Sequence, residues 1–131
     1  DVADASHTQT ILARAWLSLF DEVDVVICPA ASVAPFAKTT KYIDTIDQVK
    51  LPTYMTWLAL SYAPTMVRAC SLVVPCGVDQ DGMPFGIQLL GAPGTDRKLL
   101  AIGLAIEQVL ASHPETMRPL PDLAKLTASV R

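Results

Sequence analysis

The sequence has no paired cysteines, almost no histidine and no glycine-serine cluster, and each shortage removes a class of chemistry. Three cysteines, Cys28, Cys70 and Cys76, form an odd set without a CxxC pair. That excludes a disulfide framework and reads as reduced, buried thiols in a cytoplasmic setting. His7 and His113 are the only histidines, so a zinc site would lack both a fourth ligand and the close spacing it needs. No metal or organic cofactor is expected. Basic charge is also short: the net charge is −3 and the pI about 5.1, which argues against nucleic acid or an anionic membrane surface as a partner. Apolar runs such as 23–28 and 85–90 are interrupted or far too short to span a bilayer, so no membrane role is expected. The chain opens at Asp1 without an initiator methionine, a basic stretch or an apolar signal core, and its N-terminus is uninformative about compartment.

Core-forming material is plentiful. Of the 131 residues, 51% are hydrophobic and 18% charged, a balance suited to one folded domain. Ile11, Leu12, Ala15, Trp16, Leu19 and Phe20 fall on one face of a helix over 6–20, with Ser6 and Gln9 spaced as a capping box. The β-branched run 23–28, stopped by Pro29, reads as a strand buried on both faces of a helix-covered sheet. A helix over 52–62 follows, with Pro52 in its first turn and Pro64 as a break. Strands are expected over 72–75 and 85–90, separated by the polar turn 78–84. Asp96 would cap a helix running to about Ala111. The Pro-punctuated remainder, 114–131, reads as a surface tail on a single domain. Helices interleaved with apolar strands give an α/β fold with a partial mixed sheet. Three strands leave that sheet incomplete.

Within it, Gly82 permits a turn that a side chain would penalise. Gly86, inside an apolar strand, implies another backbone or a helix close by. Gln88, on the same face, needs a hydrogen-bond partner such as an adjacent loop if it is buried. These are packing and backbone roles.

The stretch 74–96, VPCGVDQDGMPFGIQLLGAPGTD, closely resembles the C-terminal core of the amidase-signature family. The matching positions are Pro75, Gly77, Gly82, Pro84, Gly86, Gln88, Gly91, Pro93 and Asp96. The segment 20–29, FDEVDVVICP, is similar to the family's helix-then-strand element, and the likeness runs from about His7 to Ala111. It implies the C-terminal portion of the amidase-signature fold. It also implies a parent that hydrolyses a carboxamide through an acyl-enzyme, using a serine nucleophile, a second serine in a cis peptide and a lysine base.

Those catalytic parts belong to a Gly/Ser-rich stretch and an upstream lysine segment, because a serine hydroxyl needs an adjacent base and its oxyanion needs donors. Neither is present. Ser6, Ser18, Ser32, Ser61, Ser71, Ser112 and Ser129 all lie outside any glycine cluster, and no G-x-S-x-G elbow occurs. The chain alone is therefore expected to have no catalytic residue and to serve as scaffold. The resemblance implies that 62–67 lines the parent's substrate pocket, with Tyr62, Thr65 and Met66 as the residues carried over. Transamidase members place an aspartate shortly before that segment, whereas 57–61 here holds no acid, which favours a general amide hydrolase. The other candidates read as structural: Cys76 as a small buried hydrophobe, His7 as a solvated first-turn residue, and His113 against a helix dipole. Lys38 and Lys41 read as solvated loop lysines, and Trp16 and Trp57 as core anchors.

The expected partner is thus the N-terminal catalytic portion of an amidase. The rival reading is a non-enzymatic oligomerisation or binding module derived from the same fold, with a second copy covering the free sheet edge.

Overall fold

A computed structural model describes residues 1–124. Helix α1, Val2–Leu19, begins earlier than the periodicity implies because the cap is Asp1 rather than Ser6. Asp1 Oδ1 accepts from the amides of Ala3 (2.7 Å) and Asp4 (3.1 Å), and Asp4 returns a carboxylate to the Asp1 amine. Ser6 lies inside the helix and donates its hydroxyl to the Val2 carbonyl at 2.9 Å, a bond open to any helical serine. Gln9 is likewise no capping partner. Its Nε2 donates to the Met66 carbonyl at 2.9 Å and ties α1 to the second helix.

The main sheet has three strands: β1, Val26–Pro29; β4, Cys70–Val78; and β5, Pro84–Gly91, in the order β1-β5-β4. Both pairings are antiparallel. The α/β architecture is as read from the sequence, with helices against an incomplete sheet, but the described strands pair antiparallel where a mixed sheet is expected. The polar turn 79–83 joins β4 to β5 as a hairpin, with Gly82 at φ +75°, a conformation glycine adopts freely. Gly86 meets its expected neighbour across the hairpin: an added Cβ would lie 3.0 Å from a Val73 methyl and 3.1 Å from the Val74 carbonyl oxygen.

Strand β4 runs past Pro75, which the sequence suggests as a stop. At a sheet edge the missing amide costs no ladder bond, so the strand continues into a bulge between Pro75 and Val78. Gly77 takes φ +72° there, and an added Cβ would strike the Glu115 carbonyl of the turn laid over it. Strand β1 is shorter than expected, and it is not buried on both faces. Ile27 is 52% exposed, because β1 is the other edge of the sheet and α3 packs on β4 and β5. Two further strands, β2 (Thr45–Ile46) and β3 (Val49–Lys50), form a separate small hairpin around Asp47 and Gln48, both with positive φ. Nothing in the sequence reading anticipates it.

Residues 54–58 form a 3₁₀ turn that runs into α2, Ala59–Met66. Pro64 does not break the helix as expected. It occupies the last turn, where it forfeits one bond shortly before the helix ends. The end itself is a Schellman motif: Ala69 N–H donates to the Pro64 carbonyl (3.0 Å) and Arg68 N–H to that of Thr65 (3.2 Å). Arg68 therefore sits at the left-handed position, φ 56°, which glycine normally fills. Arg68→Gly is expected to stabilise the fold by about 1 kcal/mol, read as a higher urea midpoint at unchanged slope.

Helix α3, Asp96–Ala111, starts one residue after its cap. That cap is Thr95, not Asp96, and the Thr95 hydroxyl turns back to the Ala92 carbonyl at 2.7 Å. The core lies between α3 and the β4-β5 face, where Val74, Leu89 and Leu99 are buried together. Gly103 is what allows the approach, since a Cβ there would run into Leu72. Trp16 and Trp57 are not in this core, contrary to their reading as anchors. Each is half-buried beside a separate open cleft. Gln88 is buried at 5% exposure, and its side chain makes no hydrogen bond among the described residues. Of the tail, residues 114–124 are described and mostly exposed, while 125–131 lie outside the described residues.

Candidate functional site

Chemistry that could make or break a bond is sparse. Among the described residues, no lysine is hydrogen-bonded to a serine. Lys98 Nζ pairs with Asp24 at 2.7 Å, where the bond and charge of Lys98 hold the Asp24 carboxyl below its ordinary range. One serine does meet a histidine: Ser112 Oγ lies 2.9 Å from His113 Nδ1, a pair that the sequence reading passes over. It is not an activated nucleophile. The Ser112 hydroxyl donates to the Val109 carbonyl at 2.6 Å, and the imidazole nitrogen also lies 3.2 Å from that oxygen. Both groups lie against the Val109 carbonyl in the last turn of α3. That is the structural role read for His113.

The thiols are no better placed. Cys76 is buried at 8% exposure, as its hydrophobic reading requires. Cys70 Sγ contacts the Ala92 carbonyl (3.2 Å) and the Thr95 hydroxyl (3.3 Å). Burial pushes the Cys28 thiol up from its ordinary pKa, so it is less of a thiolate than a free cysteine. His7, Lys38 and Lys41 are exposed. No group of three His, Cys, Asp or Glu side chains is placed to hold a metal among the described residues. No described helix is long and apolar enough to cross a membrane.

Two concave surfaces of about 600 Å³ or more stand out among the described residues. A groove of about 620 Å³ lies between α1, α2 and one face of the sheet, lined by Leu12, Trp16, Cys28, Pro64, Met66 and Leu90 among others. It is almost wholly apolar because the α1 stripe faces the sheet without closing on it, leaving α1 with no buried residue. Of the three residues carried over for the pocket, only Met66 lines this groove. Tyr62 and Thr65 share α2 with it, but neither lines the groove. Tyr62 is 37% exposed and Met66 44%, and the Thr65 hydroxyl is engaged by the Tyr62 carbonyl at 2.6 Å. The second surface, of about 660 Å³, opens where β1 exits into the 29–36 loop.

The free edge of β4 is flanked by a third apolar surface. Val73 is 54% exposed there, and Leu100 and Leu104 of α3 are 60% and 59% exposed. Together with the exposed Ile27 at the opposite edge, these residues give the sheet unpaired backbone and uncovered side chains on both sides.

Comparison with known proteins agrees with this picture. A family model described as Amidase matches residues 2–100. The A subunit of glutamyl-tRNA(Gln) amidotransferase from Gluconobacter oxydans is 31% identical over 109 residues, covering 83% of this chain but 21% of the relative. Its namesake from Rhizorhabdus wittichii is 33% identical over 104 residues, covering 79% of this chain and 20% of the relative. The chain thus spans about a fifth of the length of these curated relatives. Solved structures share the fold. One, described as a vestigial protein complex bearing on the origins of an s-triazine catabolic enzyme, aligns with TM-score 0.73 at 22% identity, over 92% of this chain and 26% of that one. The corresponding glutamyl-tRNA(Gln) amidotransferase protein of Thermotoga maritima aligns with TM-score 0.62 at 22% identity, over 86% of this chain and 23% of that one.

Proposed function

Since this chain belongs to the amidase family, we propose that it forms the C-terminal portion of an amide-cleaving enzyme and contributes scaffold rather than catalytic groups. The observation that carries this reading is the mismatch between family and chemistry. The fold matches amidases over most of the chain, yet among the described residues no serine has a base beside it that is free to activate it. Catalysis by acyl transfer needs nucleophile, base and oxyanion donors in one cluster, and in this reading they come from the remainder of a longer enzyme. That remainder extends the sheet beyond its free edges and covers Leu100, Leu104 and the open α1 groove. The bond broken is a carboxamide C–N bond, through a serine-bound acyl intermediate with lysine as base. No metal takes part.

Within that enzyme, Tyr62, Thr65 and Met66 form one wall of the acyl pocket. Their i, i+3, i+4 spacing places them on one side of α2, and their exposure leaves them available to a substrate or to the rest of the enzyme. Such a wall binds ground state and transition state alike, so its loss weakens binding without slowing the bond-breaking step. Met66→Ala in the longer enzyme is expected to raise KM for the carboxamide by about tenfold at nearly constant kcat. A tenfold fall in kcat at unchanged KM would remove Met66 from the pocket.

A further inference from the structure

The cleft at the exit of β1 has a composition that the amide reading does not use. Its walls are the 29–36 loop, Trp57, and Phe85 at the start of β5, and its volume of about 660 Å³ is that of a small-molecule site. Phe36 meets Trp57 edge-on at 5.8 Å between ring centroids, and Tyr54 braces Trp57 from another side at 6.3 Å. A single ionisable residue, Asp79, is among those lining the cleft.

Asp79 is unusually well fixed for a turn residue. Its Oδ1 accepts from the amides of Asp81 (2.9 Å) and Met83 (2.8 Å), and its own amide donates to the Met83 carbonyl at 2.9 Å. The turn thereby orients the carboxylate and consumes one oxygen. The other oxygen makes no hydrogen bond among the described residues. No Lys or Arg lines the cleft to neutralise it. A half-buried carboxylate with a free oxygen, at the edge of an aromatic-walled cleft, complements one kind of small molecule: a cation carried on an apolar ring.

We propose that this cleft binds an arylalkylammonium ion, with its ring against Trp57 and Phe85 and its ammonium on the free oxygen of Asp79. The aromatic faces favour both the ring and the neighbouring positive charge, while the carboxylate supplies a charge-assisted hydrogen bond. An aryl carboxylate of the same size meets repulsion instead. The binding needs no serine, base or second chain, so it stands or falls apart from the amide-cleaving role.

The chain has two tryptophans, and Trp16 lines the separate α1 groove, which makes it an internal control. In ¹H–¹⁵N spectra of the full chain, phenethylammonium should shift the Trp57 indole signal and leave that of Trp16 in place. Neutral 2-phenylethanol should bind about fivefold more weakly, and 3-phenylpropionate should not bind. Asp79→Asn retains an acceptor for the Asp81 and Met83 amides and should bind the ammonium and the alcohol alike. Ala34→Phe, which fills the cleft from its loop side, should abolish both. Equal binding of ammonium, alcohol and carboxylate by the unaltered chain would overturn the proposal, whatever the variants do. So would shifts centred on Trp16, or an Asp79→Asn variant that keeps its preference for the cation.

Discussion

Leu89→Ala is expected to lower the unfolding free energy by about 3–5 kcal/mol. Leu89 is the largest fully buried side chain, at 0% exposure, and it joins Val74 of β4 to Leu99 of α3 in the core cluster. Truncation removes buried methyl groups and leaves a cavity that the sheet cannot close, because the cross-strand pairing of Leu89 with both Ile27 and Leu72 fixes its position. Against a typical total of roughly 5–15 kcal/mol, that loss removes much of the stability of a chain with so few buried residues. Leu89→Met, which conserves volume, should cost under about 1.5 kcal/mol. Leu100→Ala, on the exposed side of α3 at 60% exposure, should stay within about 0.5 kcal/mol. Urea unfolding separates the three by midpoint. If Leu89→Ala and Leu100→Ala lost equal stability, the assignment of the core to the α3 face of the sheet would be wrong.

That core was partly legible in the sequence because its signals are local and dense. The polar turn 78–84 separates two apolar strands, and Leu99, Leu100, Gly103, Leu104 and Ile106 read as packing positions of the helix laid on them, although Leu100 and Leu104 are 60% and 59% exposed. Gly82 and Gly86 could be assigned backbone roles before any fold was known. Prolines misled in both directions. Pro75 lies on an edge strand and Pro64 in the last turn of α2, positions where the missing amide costs little, and position relative to an edge or helix end is not written in a local window. The caps were displaced for a similar reason. Ser6 and Asp96 have the right chemistry, but Asp1 and Thr95 stand where the chain enters the helices. The β2–β3 hairpin escaped because it turns on Asp47 and Gln48 without a glycine.

The sequence reading of the candidate site is mainly an expected absence. Seven serines without a glycine-rich neighbourhood predict a chain with no nucleophile, and the Ser112–His113 pair does not reverse this, since both groups are engaged by the end of α3. The pocket residues were harder to place. Tyr62, Thr65 and Met66 can be assigned to one helix from spacing, but which of them faces a cavity depends on how α1 and the sheet sit against α2. Only Met66 lines the groove. Asp79 was read simply as part of a polar turn. Its relation to Trp57 joins positions 22 apart in the chain and exists only once β5 brings the turn beside the 29–36 loop.

The largest effect concerns activity itself. A lone acyl-transfer scaffold without nucleophile or base gives no rate enhancement, whereas a complete enzyme exceeds the uncatalysed reaction by at least about 10⁶-fold. The exposed β4 edge and the uncovered Leu100 and Leu104 should also make the isolated chain self-associate, so its sedimentation is recorded on the same preparation. The decisive measurement is ammonia or amine release from a panel of simple carboxamides, made with the 131-residue chain and, in parallel, with a longer enzyme containing it. No release above buffer by the chain, together with turnover by the longer enzyme, is the predicted result. Sustained turnover by the purified chain alone would contradict the scaffold role assigned to it.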